Sequence, residues 1–347
     1  MNIRVLVAMS GGVDSSVSAA LLVKQGIEVE GATMKLTAGL CCDIGSAQAV
    51  CERLDIPHRT IDAQAEFTHG IIEDFIAEYR RGRTPNPCIR CNDIIKFHLL
   101  LKYAQSNGFD YLATGHYACI EQDQSSSRFL LRKGIDEQKD QSYFLYRLTQ
   151  EQMQGILFPL GDKRKTDVRI MARKFGLPAA ERPESQDICF VPNNNYRAFL
   201  KENAPETRMS GDMVLLDGSV VGRHDGIAFF TVGQRRRLGV AAGERLYVIR
   251  TEPDTNRVVL GKLSELHLGR MTVSDSHFIP FNELRSRMNV TVRIRYRSSH
   301  VPAVIEPLND GRIQVIFERA VPGICSGQAA VFYDGDLVVG GGVIETS

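Results

Sequence analysis

Two groups of residues in this sequence have the types and spacings that chemistry needs. The first is Ser10-Gly11-Gly12-Val13-Asp14-Ser15-Ser16, which follows the apolar run 3–9 and opens a helix-like run over 15–25. A strand, a glycine turn and a helix start present backbone N–H groups to an anion. Gly11 and Gly12 remove the Cβ atoms that would keep a phosphate away, Ser10, Ser15 and Ser16 offer hydroxyls, and Asp14 offers a carboxylate for Mg2+. No Gly-Lys-Ser/Thr follows, so this is not a Walker loop. A buried strand followed by an ordinary capped helix uses the same residue types, and the glycine pair alone leaves the two readings even.

The second group is sulfur. Of the eight cysteines, Cys51, Cys119 and Cys325 lie in apolar segments and read as inert core thiols, while Cys41 and Cys42 share a loop with no other sign of use. Cys88-Ile89-Arg90-Cys91 is a C-x-x-C in a basic loop just ahead of a helix expected over 93–106, and both surroundings lower a thiol's pKa. Cys91, at the helix start beside Arg90, is the thiolate these surroundings favour most. Zinc would need a second C-x-x-C or a His pair, and neither exists. Redox chemistry, nucleophilic chemistry and an iron–sulfur cluster stay open, with Cys189 as a third sulfur.

Alternating strands and helices must position these groups. Strands are expected at 3–9, 28–36, 58–62 and 111–117, and helices at 15–25, 43–54, 65–79 and 93–106; the third helix carries Phe67, Ile71, Phe75 and Tyr79 on one face. Such alternation implies an α/β fold with a doubly wound parallel sheet, whose ligands lie beyond the carboxyl ends of the strands. That rule gathers the 10–16 loop, Met34 and Gly115-His116 around one crevice suited to ATP. Met34 reads first as core, and its place at a strand end also suits contact with adenine.

Further on, a strand is expected at 129–134, a helix with Ile170, Met171 and Phe175 on one face, and a short helix at 195–203. From about 205 the pattern changes to short strands at 213–216, 220–221, 229–232, 246–250 and 258–260. From 271 a further six or so short strands with tight turns suggest a small closed β-barrel. The expected domains are 1–204, an ATP-binding domain with a helical insertion; 205–270, a central β-rich domain; and 271–347, the barrel.

At 347 residues the chain is too long for one ordinary core. Its 43% hydrophobic and 24% charged content is that of a soluble globular protein. No apolar run approaches the ~20 residues of a membrane span, and no leader is recognisable, so cytoplasmic residence and reduced thiols are expected. The net charge of +1 hides clusters: six Lys or Arg against Asp93 in 80–102, five Arg and no acid in 285–297, and eleven bases against seven acids in 139–201. Any one such run reads as a solvated face, whereas three of them beside an ATP-type loop point to a polyanionic partner.

The 10–16 string resembles the pyrophosphate-binding loop of the PP-loop ATP pyrophosphatases, which implies cleavage of ATP between its α and β phosphates to activate a carbonyl as an adenylate. A closer resemblance runs over essentially the whole chain. Arg83-Thr84-Pro85-Asn86-Pro87-Cys88-Ile89-Arg90-Cys91-Asn92, Ala113 to Tyr117, Lys139-Asp140-Gln141-Ser142-Tyr143-Phe144 and Ser185 to Phe190 are similar, in order, to segments of the tRNA-specific 2-thiouridylases. So are Phe230 to Arg236, Arg295-Tyr296-Arg297 and Pro322 to Gln328.

The resemblance implies that the 2-oxygen of the wobble uridine (U34) of tRNA is replaced by sulfur, after ATP with Mg2+ has adenylated that oxygen. It implies nucleotide contacts at Ala8, Met9, Ser10, Gly11, Gly12, Val13, Asp14, Ser15, Met34 and Gly115, and tRNA contacts at Asn86, Pro87, Cys88, Lys139, Asp140, Gln141, Arg295 and Tyr296. It also implies that Cys189 carries a persulfide received from a relay protein or a cysteine desulfurase, and that Cys91 completes transfer, leaving a Cys91–Cys189 disulfide. One departure matters: many members carry Asp where this chain has Cys88. That weakens an acid–base role at this position and makes Cys88, Cys91 and Cys189 a candidate ligand set for a 4Fe–4S cluster with one open iron. Two rival classes are a different PP-loop enzyme, which leaves the paired thiols unexplained, and a non-catalytic RNA-binding protein, which leaves the phosphate loop idle.

Overall fold

Strands that read apolar at successive positions are buried on both faces, and the first strand of this chain is of that kind. β1 (Arg4–Ala8), β2 (Glu28–Lys35), β3 (His58–Asp62) and β4 (Tyr111–Ala113) form a parallel sheet, which β7 (Ile156–Leu157) extends after an antiparallel hairpin of β5 (Ala118–Gln122) and β6 (Phe129–Lys133). The sheet order is β3-β2-β1-β4-β7, with every neighbouring pair parallel. Val5, Leu6 and Val7 of β1 are fully buried, each such side chain contributing roughly 1.5–3 kcal/mol.

The computed structural model describes residues 2–37, 43–182, 188–240 and 243–345, so Cys41, Cys42 and the first half of the 185–190 segment lie outside the described residues. The chain forms two units: Met1–Ile71 with Cys88–Phe190 and Asp336–Val339, and Ile72–Pro87 with Val191–Gly335 and Gly340–Ser347.

In the first unit, α1 (Val13–Lys24) packs on β1 and β2, and α2 (Ile44–Arg53) on β2 and β3. The helical stretch opened by α3 (Gln64–Phe67) passes through a π-helical turn at Thr68–Ile72 into α4 (Glu73–Arg80). α5 (Pro87–Arg90) runs into a long π-helical stretch, Cys91–Leu100, and then α6 (Leu101–Ser106). This helical run therefore starts at Pro87, not at 93. Proline lacks the N–H that an opening turn leaves unbonded, so a residue that read as a loop marker is the first helical residue. The order 3-2-1 reverses between β1 and β4, a topological switch point of the kind at which ligands bind beyond the strand ends.

α7 (Gln150–Gln154) precedes β7, and α8 (Lys165–Lys174) packs on α1. α8 buries Val168 and Ala172 and packs Met171 and Phe175 against the same core, as expected, but leaves Ile170 60% exposed, so of the expected face only Ile170 points away. Cys119 is half-buried in β5 rather than in a core strand, whereas Cys51 is buried as expected.

In the second unit, α9 (Tyr196–Asn203) is capped by Asn195, whose side chain accepts the Ala198 N–H. β8 (Gly211–Leu215), β9 (Val220–His224), β10 (Tyr247–Glu252) and β11 (Arg257–Gly261) make a sheet in the order β10-β11-β8-β9. The strand expected at 229–232 is absent, and a 3-10 turn at Ile227–Phe229 stands there. β12 (His267–Phe278), β13 (Met288–Arg293), β14 (Val301–Pro307), β15 (Ile313–Pro322), β16 (Ala329–Asp334) and β17 (Leu337–Ile344) follow. They run β12-β15-β14-β13-β16-β17, and β12 pairs back on β17 to close a six-stranded barrel without edges. Cys325 is buried in this unit, as expected of a core thiol.

Candidate active site

The loop after β1 is organised before any ligand arrives. Gly11 sits at φ +77°, and a Cβ there would stand 2.8 Å from the Asp43 carbonyl oxygen. The Ser10 N–H donates to Ser15 Oγ at 3.2 Å, the two hydroxyls lie 3.2 Å apart, and the Gly12 N–H donates to Ser10 Oγ at 3.3 Å. Ser15 and Ser16 hydroxyls both donate to the Gly12 carbonyl, at 3.2 and 2.8 Å. No side chain caps α1 at Gly12, so its opening N–H groups face outward from a glycine turn, an arrangement that accepts phosphate oxygens.

Around this loop three further elements converge. A Cβ on Gly115, just past β4, would lie 2.8 Å from both Asp14 C and Ser15 N, so only glycine lets that segment reach the helix start. Arg182 donates to the Gly11 carbonyl at 3.0 Å and pairs with Asp43, which also caps α2 through the Ser46 N–H at 2.9 Å. Those hydrogen bonds, led by the Ser46 N–H and then Arg182, pull the Asp43 carboxyl down to about 2. Met34 is 7% exposed at the end of β2, as a core residue would be. Ala8 ends β1, and Met9 continues its ladder by donating to Ala32 O at 2.8 Å.

Asp14 does not face solvent alone. Its two carboxylate oxygens take the Lys165 ammonium at 2.6 and 2.7 Å, and Oδ1 also accepts the Tyr117 hydroxyl at 2.7 Å. Sequence reasoning missed both partners. Lys165 is one of three bases at 163–165 and reads like a solvated run, yet it is 7% exposed and opens α8. For Mg2+ the residues fit: one hard carboxylate on a phosphate loop is the usual protein share when ATP phosphates supply the other oxygens.

On the other flank, His116 is buried against Phe97 and Phe158, each 5.7 Å away between ring centroids, and its Nδ1 lies 2.7 Å from Thr114 Oγ1. Burial first, and the Lys96 charge second, hold its pKa well below the usual imidazole range, so the ring is neutral. Lys96 also acts on the Cys88 thiol, and so does the sulfur of Cys189. The Lys96 charge is thus felt both at His116, next to Gly115, and at the Cys88 thiol.

Cys88 lies in the first helical turn, exposed on one side and crowded by protein on the others. Desolvation, then the Cys189 sulfur, push its pKa up to about 11, with Lys96 opposing. The expected lowering at a basic helix start is therefore reversed at Cys88, because crowding outweighs the helix end and the nearby charge. Cys91 is half-buried one turn further in rather than at the helix start. Beside it Asn92 is 4% exposed and donates to the Phe144 carbonyl at 3.1 Å. Cys189 is exposed, anchored by the next residue, Phe190, whose ring meets Phe67 edge-on at 5.7 Å. Among the described residues no three of His, Cys, Asp and Glu stand close enough to hold a metal ion.

The other sequence-derived positions divide. Lys139 and Gln141 are half-buried, and Gln141 Oε1 accepts the Tyr117 N–H at 3.0 Å. Asp140 is buried, its carboxylate holding the N–H groups of Gly134 and Ser142 at 3.1 Å. In the second unit, Asn86 and Tyr296 are half-buried and Pro87 is buried. There Arg295 donates to the carbonyls of Val232 and Gly323, at 3.2 and 2.6 Å, and so ties two loops together. Several bases of the charged runs have acidic partners: Arg147 with Asp93 at 2.8 Å, Arg83 with Glu78 at 2.7 Å and Glu345 at 3.0 Å, Arg287 with Glu306 at 3.0 Å.

Known proteins resemble this chain along its whole length. Residues 3–193 match the family described as "tRNA methyl transferase HUP domain", residues 197–262 its "PRC-barrel domain" and residues 269–344 the "Aminomethyltransferase beta-barrel domain". The "tRNA-specific 2-thiouridylase MnmA" of Acetivibrio thermocellus is 45% identical over 99% of each chain. The protein of the same description from Carboxydothermus hydrogenoformans is 45% identical over 99% of this chain and 97% of its own. A phosphate loop and paired sulfurs in one unit, and a relatedness that spans both chains end to end, agree: this chain belongs to the tRNA-specific 2-thiouridylase family.

Proposed function

We propose that the protein thiolates the wobble uridine of tRNA at C2, using ATP. The uridine C2 oxygen attacks the α-phosphorus of ATP and pyrophosphate leaves. The terminal sulfur of a Cys189 persulfide attacks C2, and AMP departs with the original oxygen. The Cys91 thiolate then attacks the Cys189 sulfur; the S–S bond breaks, its electrons stay on the sulfur bound to C2, and 2-thiouridine and a Cys91–Cys189 disulfide result. A thiol reductant resets the enzyme.

The observation that carries this reading is the organised loop at Ser10 to Ser16, closely approached by Gly115, in the same unit as Cys88, Cys91 and Cys189. When bound, Mg2+ would neutralise the phosphates, with Asp14 as its protein ligand. Loop N–H groups and the Ser10 and Ser15 hydroxyls orient pyrophosphate, and Met34 flanks adenine. The neutral His116 is suited to accept or donate a hydrogen bond without adding charge.

Lys139, Gln141, Arg295, Tyr296, Asn86 and Pro87 are proposed tRNA contacts, with Asp140 shaping the segment that carries two of them. A relay protein or a cysteine desulfurase supplies sulfur in the cytoplasm, and no described helix is long and apolar enough to cross a membrane. The proposed domains remain 1–204, 205–270 and 271–347. The test combines protein, unmodified tRNA, ATP, Mg2+ and a persulfide source. AMP that forms only with tRNA, together with 2-thiouridine, is expected; AMP formation without tRNA, or on a small-molecule acceptor alone, would refute it. Iron and labile sulfide in anaerobically purified protein would favour cluster chemistry over the persulfide route.

A further inference from the structure

ATP brings about four negative charges to a loop whose own carboxylate, Asp14, is already paired. The partner is Lys165, 7% exposed, held at its backbone by Asp136, whose carboxylate accepts the Lys165 N–H at 2.8 Å. Its ammonium crosses the Tyr117 ring at 5.8 Å and ends on both Asp14 oxygens, at 2.6 and 2.7 Å. Asp14 itself keeps a third of its side chain exposed. Among the described residues Arg182 also reaches the loop, but it faces the Gly11 carbonyl and Asp43, behind the turn.

We propose that Lys165 is the exchangeable counter-ion of the phosphate loop and a phosphate-binding residue of the reaction. Without ATP its ammonium holds the Asp14 carboxylate in position. A carboxylate with both oxygens on an ammonium cannot also serve a hard, dehydration-resistant cation, so Mg2+ and Lys165 compete for it. With ATP and Mg2+ bound, Asp14 would hold the metal and the Lys165 ammonium would move to the phosphates. A point charge on a flexible four-carbon stem can make that short move, whereas a planar guanidinium locked on a carboxylate would not. Tyr117 stays on Asp14 Oδ1 and keeps the carboxylate in place during the exchange. Lys165 then neutralises the pyrophosphate as it departs, the point at which charge builds on the leaving group.

The inference rests on the ATP reading of the loop. It is tested by calorimetric titration of ATP, with EDTA and with Mg2+, into wild type, Lys165→Met and the double variant Asp14→Asn/Lys165→Met. The double variant removes both charges and so leaves no unpaired ion in the fold. Both variants are expected to bind metal-free ATP at least tenfold more weakly than wild type. Lys165→Met should also reach half-maximal tRNA-dependent AMP formation at a lower Mg2+ concentration, because the competitor for Asp14 is gone, while kcat falls at least tenfold. Should Lys165→Met not fold, the double variant decides by the same titration. Metal-free ATP binding equal to wild type in the folded variants would overturn the inference alone and make the pair purely structural. No ATP binding by wild type under either condition would overturn it together with the proposed function.

Discussion

The hydroxyls of the phosphate loop are held by one another and by the Gly12 carbonyl, and its carboxylate by Lys165 and Tyr117. The sulfur end of the same crevice is built differently: Cys88 and Cys189 stand exposed, and Cys88 is kept a neutral thiol. A group that must bind one ligand in one pose gains from being fixed beforehand, since nothing then has to reorganise. A sulfur that must collect its cargo from elsewhere and carry it to a base gains from exposure. Activation and sulfur transfer should therefore be separable by mutation.

The largest effect should fall on the sulfur end. Cys189→Ser and Cys91→Ser should each lower 2-thiouridine formation roughly a thousandfold or more, as loss of a nucleophile does, while tRNA-dependent AMP formation continues. Wild-type thiolation by Cys189→Ser would end the persulfide reading, and loss of AMP formation in either variant would erase the distinction between the two ends. Ser10→Ala or Asp14→Ala should do the reverse, lowering AMP formation and thiolation together by roughly a hundredfold. Unchanged AMP formation in either folded variant would move the nucleotide elsewhere.

Gly115→Ala presses on both ends at once. Its methyl would stand 2.8 Å from the backbone of Asp14 and Ser15, so a destabilisation of about 1–3 kcal/mol is expected, with weaker ATP binding; a Tm equal to wild type would mean that the loop yields.

Thiol reactivity sharpens the contrast without touching activity. With a pKa of about 11, Cys88 is ionised at pH 7.5 to only roughly one part in a few thousand. Its alkylation by iodoacetamide, read by mass spectrometry, should be slow at neutral pH and climb until about pH 11. Cys189→Ser should speed it and Lys96→Met slow it, because the sulfur raises the pKa and the ammonium lowers it. Rapid labelling of Cys88 at pH 7 would show a thiolate stabilised by some other group.

The smallest effect concerns Asp43, whose carboxyl is held at about 2 against an ordinary 3.8. Because the folded pKa is depressed, the stabilisation is full above about pH 4 and is lost as the pH falls toward 2. Asp43→Asn should cost roughly 1 kcal/mol or less, the pair being half-exposed, and the difference from wild type in urea melts should shrink as the pH is lowered to 2. A deficit independent of pH would assign the cap to its hydrogen bonds alone.

Local pattern by itself determined a good deal of this protein. The run at 3–9 is a strand whose apolar residues bury both faces, the run at 28–36 is its buried neighbour, the glycine turn at Gly11 and Gly12 opens α1, and the shift to short strands after 205 marks β structure ending in a closed barrel. The order of the short motifs sufficed to name the family. What tertiary structure alone decided is electrostatic and long-range. Lys165 reads as one more base in a run until α8 brings it 151 residues back in sequence onto Asp14. Arg295 and Asp140, which the family resemblance marks for RNA contact, also take partners that no sequence pattern reports, two carbonyls for the first and two N–H groups for the second. Cys88 carries the sequence marks of a low-pKa thiol and has the opposite, because desolvation depends on what surrounds a group in space, and neighbours in sequence do not report it.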